Sequence, residues 1–255
     1  IDKLVVALGD PDYEVRSNAR QALRNMGEKA ATSEAIEKLT VALGDQDSGV
    51  RRNVSWTLGN MGEKAATSEV IHGLTILLRD QDSGVRRNAS WALGNMGEKL
   101  ATSEVIHGLT ILLGDEDSKV RRNASWALRN MGEKPATNEV IDKLVVALGD
   151  QDSEVRRNVS WTLGNMGEKA ATSEVIDKLV VALGDPYYEV RQNACWALRN
   201  MGEKAATSEV IDKLVVALGD PDYEVRRNAS WVLRNMGEKA ATSEVIEKLT
   251  VALGD

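Results

Sequence analysis

Two asparagines and a tryptophan recur together along this chain. Asn53, Trp56 and Asn60 are separated by three and four residues, and the trio returns as Asn88, Trp91, Asn95, as Asn123, Trp126, Asn130, as Asn158, Trp161, Asn165, as Asn193, Trp196, Asn200 and as Asn228, Trp231, Asn235. In the first copy Gln21 stands between Asn18 and Asn25. Offsets of three and four put all members on one side of a helix. A carboxamide offers both a donor and an acceptor to a peptide group, and an indole face accommodates aliphatic stems or cations. Arginines accompany the trio: Arg52, Arg87, Arg122, Arg157 and Arg227 on one side, and Arg24, Arg129, Arg199 and Arg234 on the other. These point away from the apolar stripe and could receive carboxylates or phosphates. The chemistry on offer is recognition of something extended, rung by rung. A packing role competes with it, because an Asn beside the apolar stripe reads equally as a bond to the next copy's carbonyls, and a Trp as filler between copies. On a helical wheel the first Asn lies closest to that stripe, whereas the Trp faces out more openly.

No residue set points to catalysis. Nucleophile elbows, phosphate loops and metalloprotease patterns are missing. Cys195 stands alone, so no internal disulfide can form, and the two histidines, His72 and His107, occupy equivalent positions in successive copies with no third ligand in register. No cofactor or metal is expected. Five glycosylation sequons, beginning at Asn53, Asn88, Asn123, Asn158 and Asn228, fall inside helical patterns and read as by-products of repetition.

What positions these residues is a repeat of 35 residues: the chain length of 255 is seven such units plus ten residues. The units are 1–35, 36–70, 71–105, 106–140, 141–175, 176–210 and 211–245, followed by a half unit, 246–255, in register without insertion. A period of this size means a solenoid. Each unit reads as two helices. Helix A begins at a Thr-Ser pair, with Thr32 or Ser33 as cap, carries Ala35, Ile36, Leu39 and Leu43 at helical spacing, and is expected to stop at a left-handed Gly44. Helix B is expected to start at Pro11, to carry Val15, Ala19, Ala22, Leu23 and Met26 as its apolar stripe, and to end at Gly27. The predicted fold is all-α, an α-solenoid of two-helix repeats in a single domain, with one helix layer lining a concave surface.

The run LGDPDYEVRSNARQAL at 8–23 resembles HEAT repeats, in which an L-x-D-x-D-x-x-V-R run joins the two helices. The resemblance implies a ladder of the second Asp and the Arg between units. Those positions are Asp12, Asp47, Asp82, Asp117, Asp152 and Asp222, and Arg16, Arg51, Arg86, Arg121, Arg156, Arg191 and Arg226, with Tyr187 breaking the pattern in the sixth copy. RNVSWTLGN at 52–60 and RNASWALGN at 87–95 also resemble the last helix of armadillo repeats in nuclear-import adaptors (importin-alpha-like). That resemblance implies that the Asn of W-x-x-x-N clamps an extended peptide while the indoles bracket its side chains. The tetratricopeptide and ankyrin signatures do not occur.

The expected function is a non-catalytic protein- or peptide-binding scaffold using the helix B face. Its candidate residues are Trp56, Trp91, Trp126, Trp161, Trp196, Trp231, Asn60, Asn95, Asn130, Asn165, Asn200, Asn53, Asn88, Asn123, Arg87 and Arg122. Nucleic-acid binding ranks second and an enzyme or lyase subunit third. The seven segments equivalent to 11–26 carry +7 and the remainder −14 of the total of −7, which makes the helix B face locally basic; yet a pI of 5.1 has the wrong sign for a strong polyanion binder. Gly59, Gly94 and Gly164, standing where other copies have Arg, read equally as openings in the groove or as neutral drift. No apolar run is long enough for a membrane span, a reducing, cytoplasmic setting is expected with the nucleus as the alternative, and the uncapped terminal units suggest either a piece of a longer array or end-to-end association.

Overall fold

The computed structural model describes residues 1–236 and 246, and every regular element among them is helical. The chain divides into two compact units, Ile1–Met131 and Gly132–Asp255. The first holds α1 (Asp2–Ala7), α2 (Tyr13–Met26), α3 (Ser33–Ala42), α4 (Ser48–Met61), α5 (Ser68–Leu77), α6 (Ser83–Asn95), α7 (Ser103–Ile111) and α8 (Ser118–Asn130). The second holds α9 (Asn138–Ala147), α10 (Ser153–Met166), α11 (Ser173–Ala182), α12 (Tyr188–Asn200), α13 (Ser208–Ala217) and α14 (Tyr223–Met236). Of the expected helix of the half unit 246–255, only Ile246 is among the described residues. Odd-numbered helices are the A helices of the repeat and even-numbered ones the B helices, so each unit is a stretch of α-solenoid.

The local signals explain the boundaries. Thr32 accepts a hydrogen bond from the Ala35 amide at 3.2 Å, and Thr67, Thr102, Thr137, Thr172 and Thr207 cap their helices in the same way. Helix B starts two residues later than Pro11 suggests. Asp12 is its cap, accepting from the Glu14 and Val15 amides at 2.7 and 3.2 Å, and Pro11 belongs to the preceding loop. Gly27 ends α2 at φ 51°, and Gly62, Gly97, Gly132, Gly167 and Gly202 likewise adopt positive φ. Gly44 does not: helix A runs out through Leu43 in right-handed geometry, so no left-handed stop is used there.

The core lies between the layers. Leu39, Leu58, Leu74, Leu93, Leu109 and Leu128 are sealed from solvent in the first unit. In α2, Ala19 and Leu23 are buried while Val15 and Met26 are exposed; the equivalent Val50 and Met61 of α4 are buried. The B helices α4 on α6, α6 on α8, α10 on α12 and α12 on α14 pack much more closely than successive A helices, whereas α2 lies on α4 no more closely than α1 on α3.

Candidate functional site

The recurrent trio sits where consecutive B helices meet. Trp56, Trp91 and Trp126 in the first unit, and Trp161 and Trp196 in the second, are half-buried, while Trp231 is exposed. The indoles of Trp56 and Trp91 stack with centroids 6.1 Å apart and planes 15° from parallel; those of Trp161 and Trp196 stack at 4.3 Å and 16°. Part of each of these half-buried residues therefore remains accessible to solvent.

The glycines at the expected groove openings are not openings. A Cβ on Gly59 would stand 2.6 Å from the Trp91 ring and 2.8 Å from Ala92 Cα; on Gly94 it would stand 2.5 Å from the Trp126 ring, and on Gly164 2.3 Å from that of Trp196. Each glycine is the seat of the next repeat's indole, which occupies the space that the missing side chain leaves. Where arginine stands instead, the indole meets a guanidinium: Arg24 lies 5.8 Å from the Trp56 ring centre and Arg199 3.4 Å from that of Trp231. Arg20 adds a second cation over Trp56, at 5.3 Å.

The asparagines are turned into the stack. Asn88 donates from Nδ2 to the Arg52 carbonyl at 2.9 Å, Asn123 to that of Arg87 at 2.9 Å, and Asn193 to that of Arg157 at 3.1 Å. The second asparagines make longer versions of the same bond: Asn95 to Gly59 O at 3.4 Å, Asn130 to Gly94 O at 3.3 Å and Asn200 to Gly164 O at 3.2 Å. Asn60 donates within its own helix, to Trp56 O at 2.8 Å. The expectation of an amide reserved for a bound peptide is thus modified. B helices approach so closely that the preceding repeat's carbonyls come within reach of Nδ2. Asn53 and Asn165 are half-buried on the same face.

The Arg–Asp ladder exists, with a different carboxylate from the one the resemblance implied. Arg51 grips Asp80 through Nε at 2.7 Å and Nη2 at 3.0 Å, and Arg86–Asp115, Arg156–Asp185 and Arg191–Asp220 repeat the fork. These are the first Asp of each loop. The second Asp is consumed as helix cap, because its position one residue before the helix aims it at the free amides. Nη1 of each ladder Arg also donates to two carbonyls of its own loop, as Arg51 does to Asp45 O at 2.8 Å and Gln46 O at 2.9 Å. Tyr187 therefore leaves the ladder intact and removes only a side-chain cap from α12. Burial pushes the Asp80 carboxyl up, but the Arg51 guanidinium and the Asp82 amide outweigh it and hold the group below the ordinary carboxylate range; Asp220 behaves alike against Arg191.

The outward arginines are largely occupied. Arg52 reaches Asp82 of the next repeat through Nη2 at 2.8 Å, across the bare Gly84, whereas Arg157 and Arg227 pair with Glu154 and Glu224 on their own helices at 2.5 Å. Arg87 is half-buried near Asp117, whose carboxyl lies below its ordinary value chiefly through the Lys119 amide, with Arg87 a smaller contribution. Arg122 is exposed. Cys195 is sealed on the buried side of α12, where burial pushes its thiol up to about 12, so it does not supply a nucleophile near neutral pH. His72 and His107 are exposed on the A layer, and no cluster of three metal-ligating side chains occurs among the described residues. Among those residues no helix is long and apolar enough to cross a membrane.

Sequence reasoning missed a second feature. At the sixth position of each repeat helix A carries an exposed aliphatic residue: Val6, Val41, Ile76 and Ile111 in the first unit, and Val146, Val181 and Val216 in the second. The signal was available, since Val41 falls off the stripe of Ile36, Leu39 and Leu43 in every copy.

Comparison with protein families matches HEAT repeats over residues 1–75, 106–177 and 176–255. The chain belongs to the HEAT-repeat family. Among solved structures, this HEAT-repeat chain is similar to an engineered protein at 26% identity and TM-score 0.75, covering 99% of this chain and 71% of the other. A second engineered protein matches at 26% identity and TM-score 0.59, covering 92% and 98%. A designed armadillo repeat protein, solved in complex with the peptide (KR)4, matches at 22% identity and TM-score 0.62, covering 92% and 98%. A search of curated proteins found no match.

Proposed function

We propose that this HEAT-repeat chain is a non-catalytic scaffold whose B-helix face binds an extended peptide or a peptide-like stretch of a protein surface. The observation that supports this most is the row of half-exposed indoles, in which Trp56 stacks on Trp91 and Trp161 on Trp196. Trp56, Trp91 and Trp126 follow one another with only glycine between them, at Gly59 and Gly94, and Arg20 and Arg24 flank the first ring. Indole edges at successive rungs suit apolar or aliphatic side chains at regular intervals, and the flanking guanidiniums suit carboxylates. The designed armadillo relative carries a basic peptide. Here the flanking charge has the opposite preference, so neutral to acidic sequences are the proposed ligands. Arg52, Arg157 and Arg227 are already paired with carboxylates, and the chain's pI of 5.1 is the wrong sign for a polyanion binder, which together weigh against nucleic acid.

The test is a peptide array read by tryptophan fluorescence, with Trp91→Ala plus Trp126→Ala as the comparison. Peptides selected by the intact protein should bind the double variant at least about tenfold more weakly, a loss of roughly 1.4 kcal/mol, with circular dichroism unchanged. Equal affinity in a folded double variant refutes the proposal, as does selection of basic peptides over acidic ones.

A further inference from the structure

The opposite face of the first unit carries a pattern of its own. Val6, Val41, Ile76 and Ile111 stand in a row across α1, α3, α5 and α7, with exposures from 50% at Ile111 to 78% at Val41. An aliphatic residue so exposed in one copy is ordinary; four in register are a continuous apolar line. The odd helices are the looser layer, and surface grooves open between them. The groove between α3 and α5 has a volume of about 460 Å³ and is lined by Ile36, Thr40, Val41, Thr67 and Glu69 among others. At the N-terminal end of the same helices runs a parallel row of exposed carboxylates, Glu34, Glu69 and Glu104, seven residues from the aliphatic on each helix and so on the same side. Lysines on the A helices thin out along this face: Lys38 pairs with Glu34 at 2.8 Å, Lys64 at the groove edge pairs with Glu28 at 3.0 Å, and the following two repeats carry His72-Gly73 and His107-Gly108 where Lys stands elsewhere. Gly73 and Gly108 receive Leu43 and Leu78 of the preceding repeat, whose Cδ1 atoms lie 2.7 Å from where a Cβ would be, so the missing lysines are part of the packing.

The spacing says what fits such a line. Packed helices lie about 8–10 Å apart, with a looser layer toward the upper end. Seven residues of an α-helix rise about 10.5 Å. A partner helix laid across the A helices would thus present one side chain of every heptad to each rung, and an extended strand, whose faces alternate every residue, would not stay in step. Charge distinguishes between possible partners. In a second copy of this chain docked face to face with its A helices aligned, one glutamate row would meet the other; turned the other way, the row would meet the opposite helix ends, where Arg79 is the one arginine beside Asp10, Asp45, Asp80 and Asp115. We propose that the A-helix face of residues 1–131 docks an amphipathic helix of a basic partner protein, its apolar seam repeating every seven residues along Val6, Val41, Ile76 and Ile111 and its Lys or Arg flank facing Glu34, Glu69 and Glu104. This surface is separate from the indole row and does not depend on it.

The probe is a synthetic helix of about 28 residues, or four heptads at 1.5 Å per residue, with one Leu per heptad and Lys on the flank. Its counterparts carry Glu in place of Lys, or Leu at every fifth residue. The protein is used as the full chain, intact, as Val41→Gln plus Ile76→Gln plus Ile111→Gln, and as Trp91→Ala plus Trp126→Ala. All three aliphatics are surface residues, so the triple variant should keep its helical spectrum and melting midpoint. The basic heptad peptide should bind the intact chain, lose about tenfold or more in affinity with the triple variant, and bind the tryptophan variant unchanged; both counterparts should bind at least about tenfold more weakly. Equal binding of Lys and Glu peptides, indifference to the triple substitution, or loss of binding with the tryptophan variant alone would overturn the proposal. So would a dimer of the intact chain, seen by light scattering, that the triple variant abolishes.

Discussion

Gly59 shows how one missing side chain sets the chemistry of the next rung. By helix propensity alone, Gly59→Ala should stabilise α4 by about 1 kcal/mol. A Cβ there would stand 2.8 Å from Ala92 Cα, a backbone atom that cannot swing aside, as well as 2.6 Å from the Trp91 ring. Separation of α4 and α6 must follow, and overpacking of this kind costs about 1–3 kcal/mol. The expected result is a lower urea midpoint together with a change in Trp emission; a higher midpoint with unaltered fluorescence would show that the indole is not seated as described. Asn88 gives the complementary case. Its Nδ2 donates to Arg52 O, so Asn88→Asp removes a donor and sets a carboxylate against a carbonyl, with an expected loss of about 2 kcal/mol in chemical denaturation. A bystander asparagine would show no loss.

The loops between A and B helices depend on their arginines. Arg86 binds Asp115 of the next repeat through two nitrogens and two carbonyls of its own loop through the third, with only 18% of its side chain exposed and 7% of its partner's. Arg86→Ala should cost about 3 kcal/mol, because it leaves a largely buried carboxylate unpaired. Arg86→Lys should recover little, since an ammonium cannot reproduce the fork. The pH dependence follows from the depressed carboxyls of Asp80 and Asp220. A folded-state value below the unfolded one contributes stability that is complete above the ordinary carboxylate value near about 3.9 and disappears as pH falls through the lower, folded value. Thermal midpoints should therefore drop steeply below about pH 4, and Asp80→Asn should flatten that slope while lowering the midpoint at pH 7. The two helices, their Thr caps and the Gly27 stop could all be read from the sequence, because each rests on local backbone chemistry. Which Asp of the loop receives the two-nitrogen fork of the ladder arginine could not. Asp10 and Asp12 are two residues apart and chemically identical, and only the direction in which the chain enters α2 makes the second a cap and frees the first position for the ladder.

The same division between local and non-local chemistry runs through each unit. Period, layers and the face bearing the indoles follow from spacing, whereas the commitment of Nδ2 groups to neighbouring carbonyls depends on how closely B helices approach, which no single repeat encodes. Repeats that touch mainly their neighbours have stabilities that add along the stack, so damage should stay local. Leu93, sealed in α6, tests this. Leu93→Ala removes three buried carbon atoms from a close-packed interface and should cost about 2–5 kcal/mol. In a solenoid the loss should appear as faster amide exchange in α6 and in the helices packed on it, α4, α5 and α8, while α1 and α2 and the amides of α12 and α14 keep the protection they have in the parent chain. Uniform acceleration across all helices would mean that the chain unfolds in one step, and the repeat-by-repeat additivity would have to be abandoned.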